Sequence, residues 1–242
     1  MHAIVMAGGM GRRLAAVAPR IPKPLIEVGG NPIIEIIVRQ LRASGFDRLT
    51  ICVSHLGAQI EQALGDGRRF GVSIAYNWDR TPLGTAGPLR TVAGFDAPAL
   101  VMNADILTTA ELDRLVAAHR HGGAVLTVAV RECPVPVAFG VLRTDAAGRV
   151  TAVEEKPTVT VDVAAGMYVV DPSVVGQLPP DRPLDMPELI TRLVDAGRPV
   201  ATHRFADTWH DVGTPESLAR AELDFLDDPG RFLAEPLIGE PR

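Results

Sequence analysis

Apolar residues in this chain gather into short β-branched runs, and the stretches between them repeat their apolar positions at helical spacing. His2–Met6, Leu49–Val53, Val72–Tyr76 and Leu100–Asn103 read as strands. Between them Ile33, Ile34, Ile37 and Leu41 share one helix face, as do Ile60 with Leu64, and Leu112, Leu115 and Val116 with His119. This strict alternation predicts an α/β fold with a doubly wound, mostly parallel sheet, whose ligands sit beyond the carboxyl ends of the strands. From Ala124 the pattern changes. Ala124–Val130, Phe139–Thr144, Arg149–Glu154 and Val163–Val170 read as strands joined by short turns, with Asp145-Ala146-Ala147-Gly148 as a hairpin turn. Pro187–Asp195 and Pro215–Leu226 read as helices, each with a proline in the first turn where its missing N–H costs little. The reading is one domain over residues 1–228, with an α/β half (1–123), a more antiparallel half (124–228) and a loose tail from Pro229 (229–242).

The chain has 242 residues, 24 basic and 29 acidic side chains, a net charge of −5 and 47% apolar residues. A chain of this length buries roughly 70% of the surface its unfolded form exposes, so it needs no staples. Cys52 and Cys133 form no CxxC spacing, which suits a reducing, cytoplasmic setting. Apolar runs of four to six residues fall far short of a membrane span, and no export signal is read at the N-terminus. A slightly acidic chain with two Trp and two Tyr argues against nucleic acid and for a small-molecule partner. Self-association is left open.

Candidate chemistry starts after the first strand. Ala7, Gly8, Gly9 and Gly11 in AGGMGRRL would let backbone N–H groups approach a phosphate or a base, although an ordinary tight βα turn explains the same glycines. The loop is neither a Walker A nor a clean GxGxxG. Arg12 and Arg13 follow, and IPKPL brackets Lys23 between two prolines expected to keep the chain extended. The histidines offer no rival site, because His119 and His121 point to different sides of a helix and His55 and His203 are isolated. His210 reads equally as a surface histidine or a support behind Asp211.

Taken together, AGGMGRRL, PKPLIEVGGNPII, PLGTAG (Pro82–Gly87), NADIL (Asn103–Leu107), EEKP (Glu154–Pro157), AAGMYV (Ala164–Val169) and WHDVGTP (Trp209–Pro215) resemble, in order, the motifs of the sugar-1-phosphate nucleotidylyltransferases. The resemblance covers about Ala3 to Leu226. It implies a Rossmann-like fold of the nucleotide-diphospho-sugar transferase type with an antiparallel sugar-binding half. It also implies attack by a sugar-1-phosphate oxygen on the α-phosphorus of a nucleoside triphosphate, with release of pyrophosphate.

By the same resemblance Arg13 grips the β- and γ-phosphates, Lys23 sits on the α-phosphate, and Asp105 and Asp211 hold Mg²⁺. Ala7, Gly8, Gly9, Gly11, Arg12, Asp79, Gly84 and Thr85 would face the nucleotide. Asn103, Glu155, Lys156, Gly166 and Tyr168 would face the sugar phosphate, with Lys156 on its phosphate and Glu155 on its hydroxyls. DMPELI (Asp185–Ile190) and VMAGG, together with the short chain, resemble the compact guanylyl-type members and favour GTP. The chain departs from the family in having Ala104 before Asp105 where glycine is common, and Arg12 where threonine is common. Ala164 stands where an asparagine often does, so an amide that would bond a sugar hydroxyl is absent and an unusual sugar is implied. Two alternatives are carried. A non-catalytic nucleotide-sugar sensor of the same fold would be expected to lose Arg13, Lys23 or a metal carboxylate, all of which this chain keeps; a Rossmann dehydrogenase would want an acidic residue where Val53-Ser54-His55 stands.

Overall fold

The computed structural model describes residues 1–9, 21–79, 81–180 and 182–233. The first half runs β1 (His2–Met6), a small hairpin of β2 (Glu27–Val28) and β3 (Asn31–Pro32), α1 (Ile33–Ala43), β4 (Arg48–Val53), α2 (Gly57–Leu64), β5 (Ser73–Trp78), β6 (Ala99–Asn103), β7 (Ile106–Thr108) and α3 (Leu112–Gly122). The second runs β8 (Leu126–Pro136), β9 (Val141–Thr144), β10 (Val150–Glu154), β11 (Thr158–Val170), α4 (Met186–Asp195), β12 (Val200–Arg204), β13 (Trp209–Asp211) and α5 (Pro215–Asp227).

Seven strands form the central sheet in the order β12-β8-β11-β6-β1-β4-β5. Within it β6, β1, β4 and β5 pair in parallel, as do β12 and β8, and β11 alone runs against its neighbours β6 and β8. The mostly parallel sheet is therefore present, and one inserted strand joins the two halves. Side-chain alternation on β1 sorts the core into two layers. Ala3 and Val5 face α1, α2, α3 and α5, whereas Ile4 and Met6 face α4 and the turns at Gly87–Arg90 and Pro172–Gln177. Strands covered on both faces read as continuous apolar runs, which is why β1, β4 and β6 stand out in the sequence. In α1, Ile33, Ile34, Ile36, Ile37, Val38 and Leu41 are all fully buried, each isoleucine worth about 1.5–3 kcal/mol of burial.

Three findings differ from the sequence reading. β8 and β11 are longer than expected and continue past the sheet as a two-stranded arm, paired from Arg131 with Val163 out to Pro136 with Thr158. Alternation at half-buried positions is weak there, because neither face is packed. β7, β12 and β13 were not anticipated, being short and partly polar, and tertiary pairing creates them. The segment expected to be loose from Pro229 begins docked, with Phe232 fully buried against the Phe225 ring at a centroid separation of 5.6 Å. A phenylalanine beside an open edge of the core gains more from burial than the short turn loses in entropy.

Candidate functional site

The carboxyl ends of the parallel strands bring several of the residues expected to face a nucleotide to one edge. β1 ends at Met6; the next residue, Ala7, donates its N–H to the Cys52 carbonyl at 2.8 Å, while Ala104 N–H donates to the Met6 carbonyl at 3.0 Å. The Ser54 hydroxyl, just past β4, donates to the Gly8 carbonyl at 2.8 Å and braces the start of the glycine loop. Among the described residues nothing lies within 4 Å of where a Cβ on Gly9 would stand. Asp79 follows β5, its N–H donating to the Val53 carbonyl, and partial burial pushes its carboxyl up to about 6. Gly11, Arg12 and Arg13 lie outside the described residues.

At the same edge Lys23 stands between two carboxylates. Its Nζ lies 2.5 Å from Asp105 Oδ2 and 3.7 Å from Asp211 Oδ1, and its side chain is 12% exposed. Pro22 is extended as expected, but Lys23–Leu25 then closes a single 3₁₀ turn rather than continuing extended. Leu25 N–H reaches the Pro22 carbonyl at 2.8 Å, and the ring of Pro24 fixes a φ that such a turn accepts. Asp105 lies just past β6. Asp211, 106 positions later, reaches it because β13 pairs with β7, Asp211 opposite Ile106, and Val212 N–H donates to the Asp105 carbonyl at 3.0 Å. One lysine against two carboxylates leaves a negative excess. Asp105 Oδ1 is buried and has no hydrogen-bond partner among the described residues. Those residues contain no cluster of three or more His, Cys, Asp or Glu that could hold a metal, so two carboxylates are the donor set on offer. Two carboxylates, one with an orphan buried oxygen, fit a hard dication that takes its other ligands from phosphate and water.

The residues expected to face a sugar phosphate divide into two groups. β11 carries a bulge in which Ala165, Gly166 and Met167 stand opposite the single residue Ala129. Gly166 has φ +70, and a Cβ there would lie 2.9 Å from Asn103 Nδ2, so a bare backbone is what allows Asn103 its place at the end of β6. The bulge also receives the Trp209 indole N–H on the Ala165 carbonyl at 2.8 Å, and the Arg131 guanidinium lies 5.5 Å over that indole ring. Tyr168 is buried in the core layer beneath α4. Glu155 and Lys156 sit on the exposed arm between β10 and β11. Lys156 has φ +47, a left-handed conformation that costs a β-carbon residue about 1 kcal/mol or more and marks the turn before Pro157 as constrained. His210 is neither free nor at the cluster, since its Nε2 pairs with Asp224 Oδ2 on α5 at 2.8 Å.

The PLGTAG loop is bound to the segment Leu184–Met186 instead of standing alone. Thr85 N–H and Oγ1 both donate to Asp185 Oδ1, at 2.9 and 3.3 Å, and Met186 N–H donates to Thr85 Oγ1 at 2.9 Å. Asp185, within DMPELI, has no site role by the motif resemblance. An aspartate one residue before a helix is the usual signature of a cap, and that signal conceals a partner 100 positions away.

Among known proteins, the sequence profile described as nucleotidyl transferase matches residues 2–228. A UTP–glucose-1-phosphate uridylyltransferase of Synechocystis is 32% identical over 88% of this chain and 60% of its own length. A mannose-1-phosphate guanylyltransferase of Mycobacterium tuberculosis is 32% identical over 93% and 65%. The chain thus spans about three-fifths of the length of these curated relatives. The solved structure of HddC from Yersinia pseudotuberculosis superposes with a TM-score of 0.71 at 22% identity, covering 93% of this chain and 99% of that one, and shares the fold. No helix among the described residues is long and apolar enough to cross a membrane. The order of its strands, the carboxylates past β6 and on β13, and the match across nearly its whole described length make this chain a member of the nucleotidyl transferase family.

Proposed function

We propose that the protein transfers a nucleotidyl group from a nucleoside triphosphate, GTP in preference, to a sugar 1-phosphate, giving a nucleotide-diphosphate sugar and pyrophosphate. The observation that carries this reading is Lys23 held between Asp105 and Asp211 at the carboxyl edge of a parallel sheet. In the reaction an oxygen of the sugar phosphate forms a bond to the α-phosphorus while the bond to the β-phosphate oxygen breaks. Both substrates are polyanions, so the work is positioning and charge stabilisation. Asp105 and Asp211 would hold Mg²⁺, which supplies Lewis-acid neutralisation of phosphate charge when bound. Without a dication the cluster's negative excess would repel a triphosphate. Lys23 would then hold an α-phosphate oxygen, and Arg13 the β- and γ-phosphates. On the arm, Lys156 would bind the sugar phosphate and Glu155 its hydroxyls, with Asn103 and Gly166 forming the floor.

For the base, two relatives at the same 32% identity are named for different nucleotides, so the GTP preference rests on the likeness of DMPELI and VMAGG to the guanylyl-type branch. For the sugar, Ala164, exposed where the bulge begins, offers no amide, which argues against a common hexose. The test is pyrophosphate release over a grid of five triphosphates and several sugar 1-phosphates, with and without Mg²⁺. Release in a GTP row that needs Mg²⁺ is expected; nucleotide binding with no release from any pair would replace the reading with a sensor. Ala164→Asn should raise kcat/KM for mannose or glucose 1-phosphate, and equal values in both proteins would remove the unusual-sugar argument.

A further inference from the structure

Thr85 and Asp185 face each other across the two halves of the chain, and their polar groups are arranged reciprocally. Asp185 stands at the N-terminus of α4, yet its carboxylate makes no bond to its own helix. It accepts instead from the N–H and the hydroxyl of Thr85. The hydroxyl oxygen of Thr85 in turn accepts from Met186 N–H, one of the helix's otherwise orphan donors. Each residue therefore does for the other segment what a cap does within one helix. Around this pair the backbones are also stitched, with Leu184 N–H on the Leu83 carbonyl at 2.9 Å, and Ala86 and Gly87 N–H on the Leu184 carbonyl at 2.9 and 3.1 Å. Gly84, at φ +77, completes the fit, since a Cβ there would lie 2.5 Å from the Leu184 carbonyl oxygen and 2.7 Å from Asp185 Oδ1.

We infer that Asp185 is a positioning residue: with Thr85 it latches the Pro82–Gly87 loop to the start of α4 and so sets where that loop stands as a wall of the nucleotide site. This rests on the proposed placing of the nucleotide beside that loop. It also changes the part given to Thr85. Both its amide and its hydroxyl are engaged within the protein, so Thr85 shapes the wall instead of contacting the nucleotide. The carboxylate is suited to the task because one oxygen accepts two donors, and a side-chain amide oxygen at the same place can do the same.

Hydrogen exchange and nucleotide affinity, measured on the full chain, test this together. Asp185→Ala should speed exchange at the Thr85, Ala86 and Gly87 amides by tenfold or more. It should also raise KM for the triphosphate fivefold or more, leaving KM for the sugar 1-phosphate within twofold. Asp185→Asn should restore both to within about twofold of wild type. A purely structural role would lower the fraction of folded protein with both KM values unchanged in what remains, and that result overturns the inference. Unchanged exchange in Asp185→Ala overturns it as well. Should the wild type transfer nothing to any sugar phosphate, the function proposed above fails on its own. The latch is then judged by exchange together with GTP affinity from equilibrium dialysis, where an Asp185→Ala loss restored in Asp185→Asn supports it and equal affinities overturn it.

Discussion

Every residue of β1 is buried, whereas no residue of β10 is. The first belongs to a sheet covered on both faces; the second belongs to the separate β9–β10 hairpin beyond the arm, and in arm and hairpin alike cross-strand apolar pairs, Val135 with Val159 and Leu142 with Val153, lie open to solvent. What holds arm and hairpin is backbone pairing, with exposed ion pairs such as Arg143 with Glu154 across the hairpin at 2.8 Å adding little because water screens them. Its root is firmer. Arg204 on β12 reaches both Glu132 of β8 and Asp162 of β11, bridging two carboxylates that stand opposite one another in the ladder and offsetting part of their mutual repulsion. The contrast teaches a division of labour. Asp105 follows a strand of the sheet covered on both faces, while Glu155 and Lys156 follow strands open to solvent, the kind of element that opens locally at low free energy.

The largest effect should come from the core. Ile37→Ala, in the fully buried face of α1, should lower unfolding free energy by about 2–5 kcal/mol, while Val159→Ala on the arm, at 45% exposure, should cost well under half as much. Urea titrations of the two proteins decide it, and equal losses would end the contrast. Next come Asp105→Ala and Asp211→Ala, each expected to cut turnover by about 10²–10³, the loss typical of one preorganised electrostatic contact. Melting should be nearly unchanged, since both side chains sit at the sheet's edge. Turnover within a few-fold of wild type in either variant would remove it from the reacting centre.

Acid should also weaken the sheet, through His2. His2 on β1 is buried with Nε2 2.9 Å from the Thr50 hydroxyl, and burial, then the Arg48 charge, push it down to about 4. The unfolded chain takes up its proton near 6.5, so the folded state binds fewer protons between those values. Stability is whole above about pH 6.5 and declines as pH falls toward 4, by roughly 2–3 kcal/mol. Denaturation of wild type and His2→Asn at pH 7.5 and 4.5 should show a shallower decline in the variant, and parallel declines would refute the assignment. Smallest is Lys156→Ala, expected to raise KM for the sugar phosphate about tenfold, near 1.4 kcal/mol, with KM for the triphosphate unchanged. A rise for the triphosphate instead would reverse the placing of the two substrates.

Strands buried on both faces, and helices with one apolar face, are legible because each residue's neighbours in sequence already declare its environment. β1, β4, β6 and α1 to α5 accordingly fall where periodicity puts them, within a few residues. Motif resemblance named Lys23, Asp105 and Asp211 as residues that belong together, and they do meet. That meeting depends on β13 pairing with β7, a three-residue strand whose hydrogen bonds come from a partner about 100 positions away and leave no local period. The same holds for the arm, where solvent on both faces erases the alternation, and for Asp185, whose local context reads as a helix cap while its carboxylate serves Thr85 across the fold. Local spacing determined the buried strands and the helices, and motif resemblance named the residue types of the site. Long-range hydrogen bonding decided which side chains touch, because its partners are fixed only once the loop between them has closed.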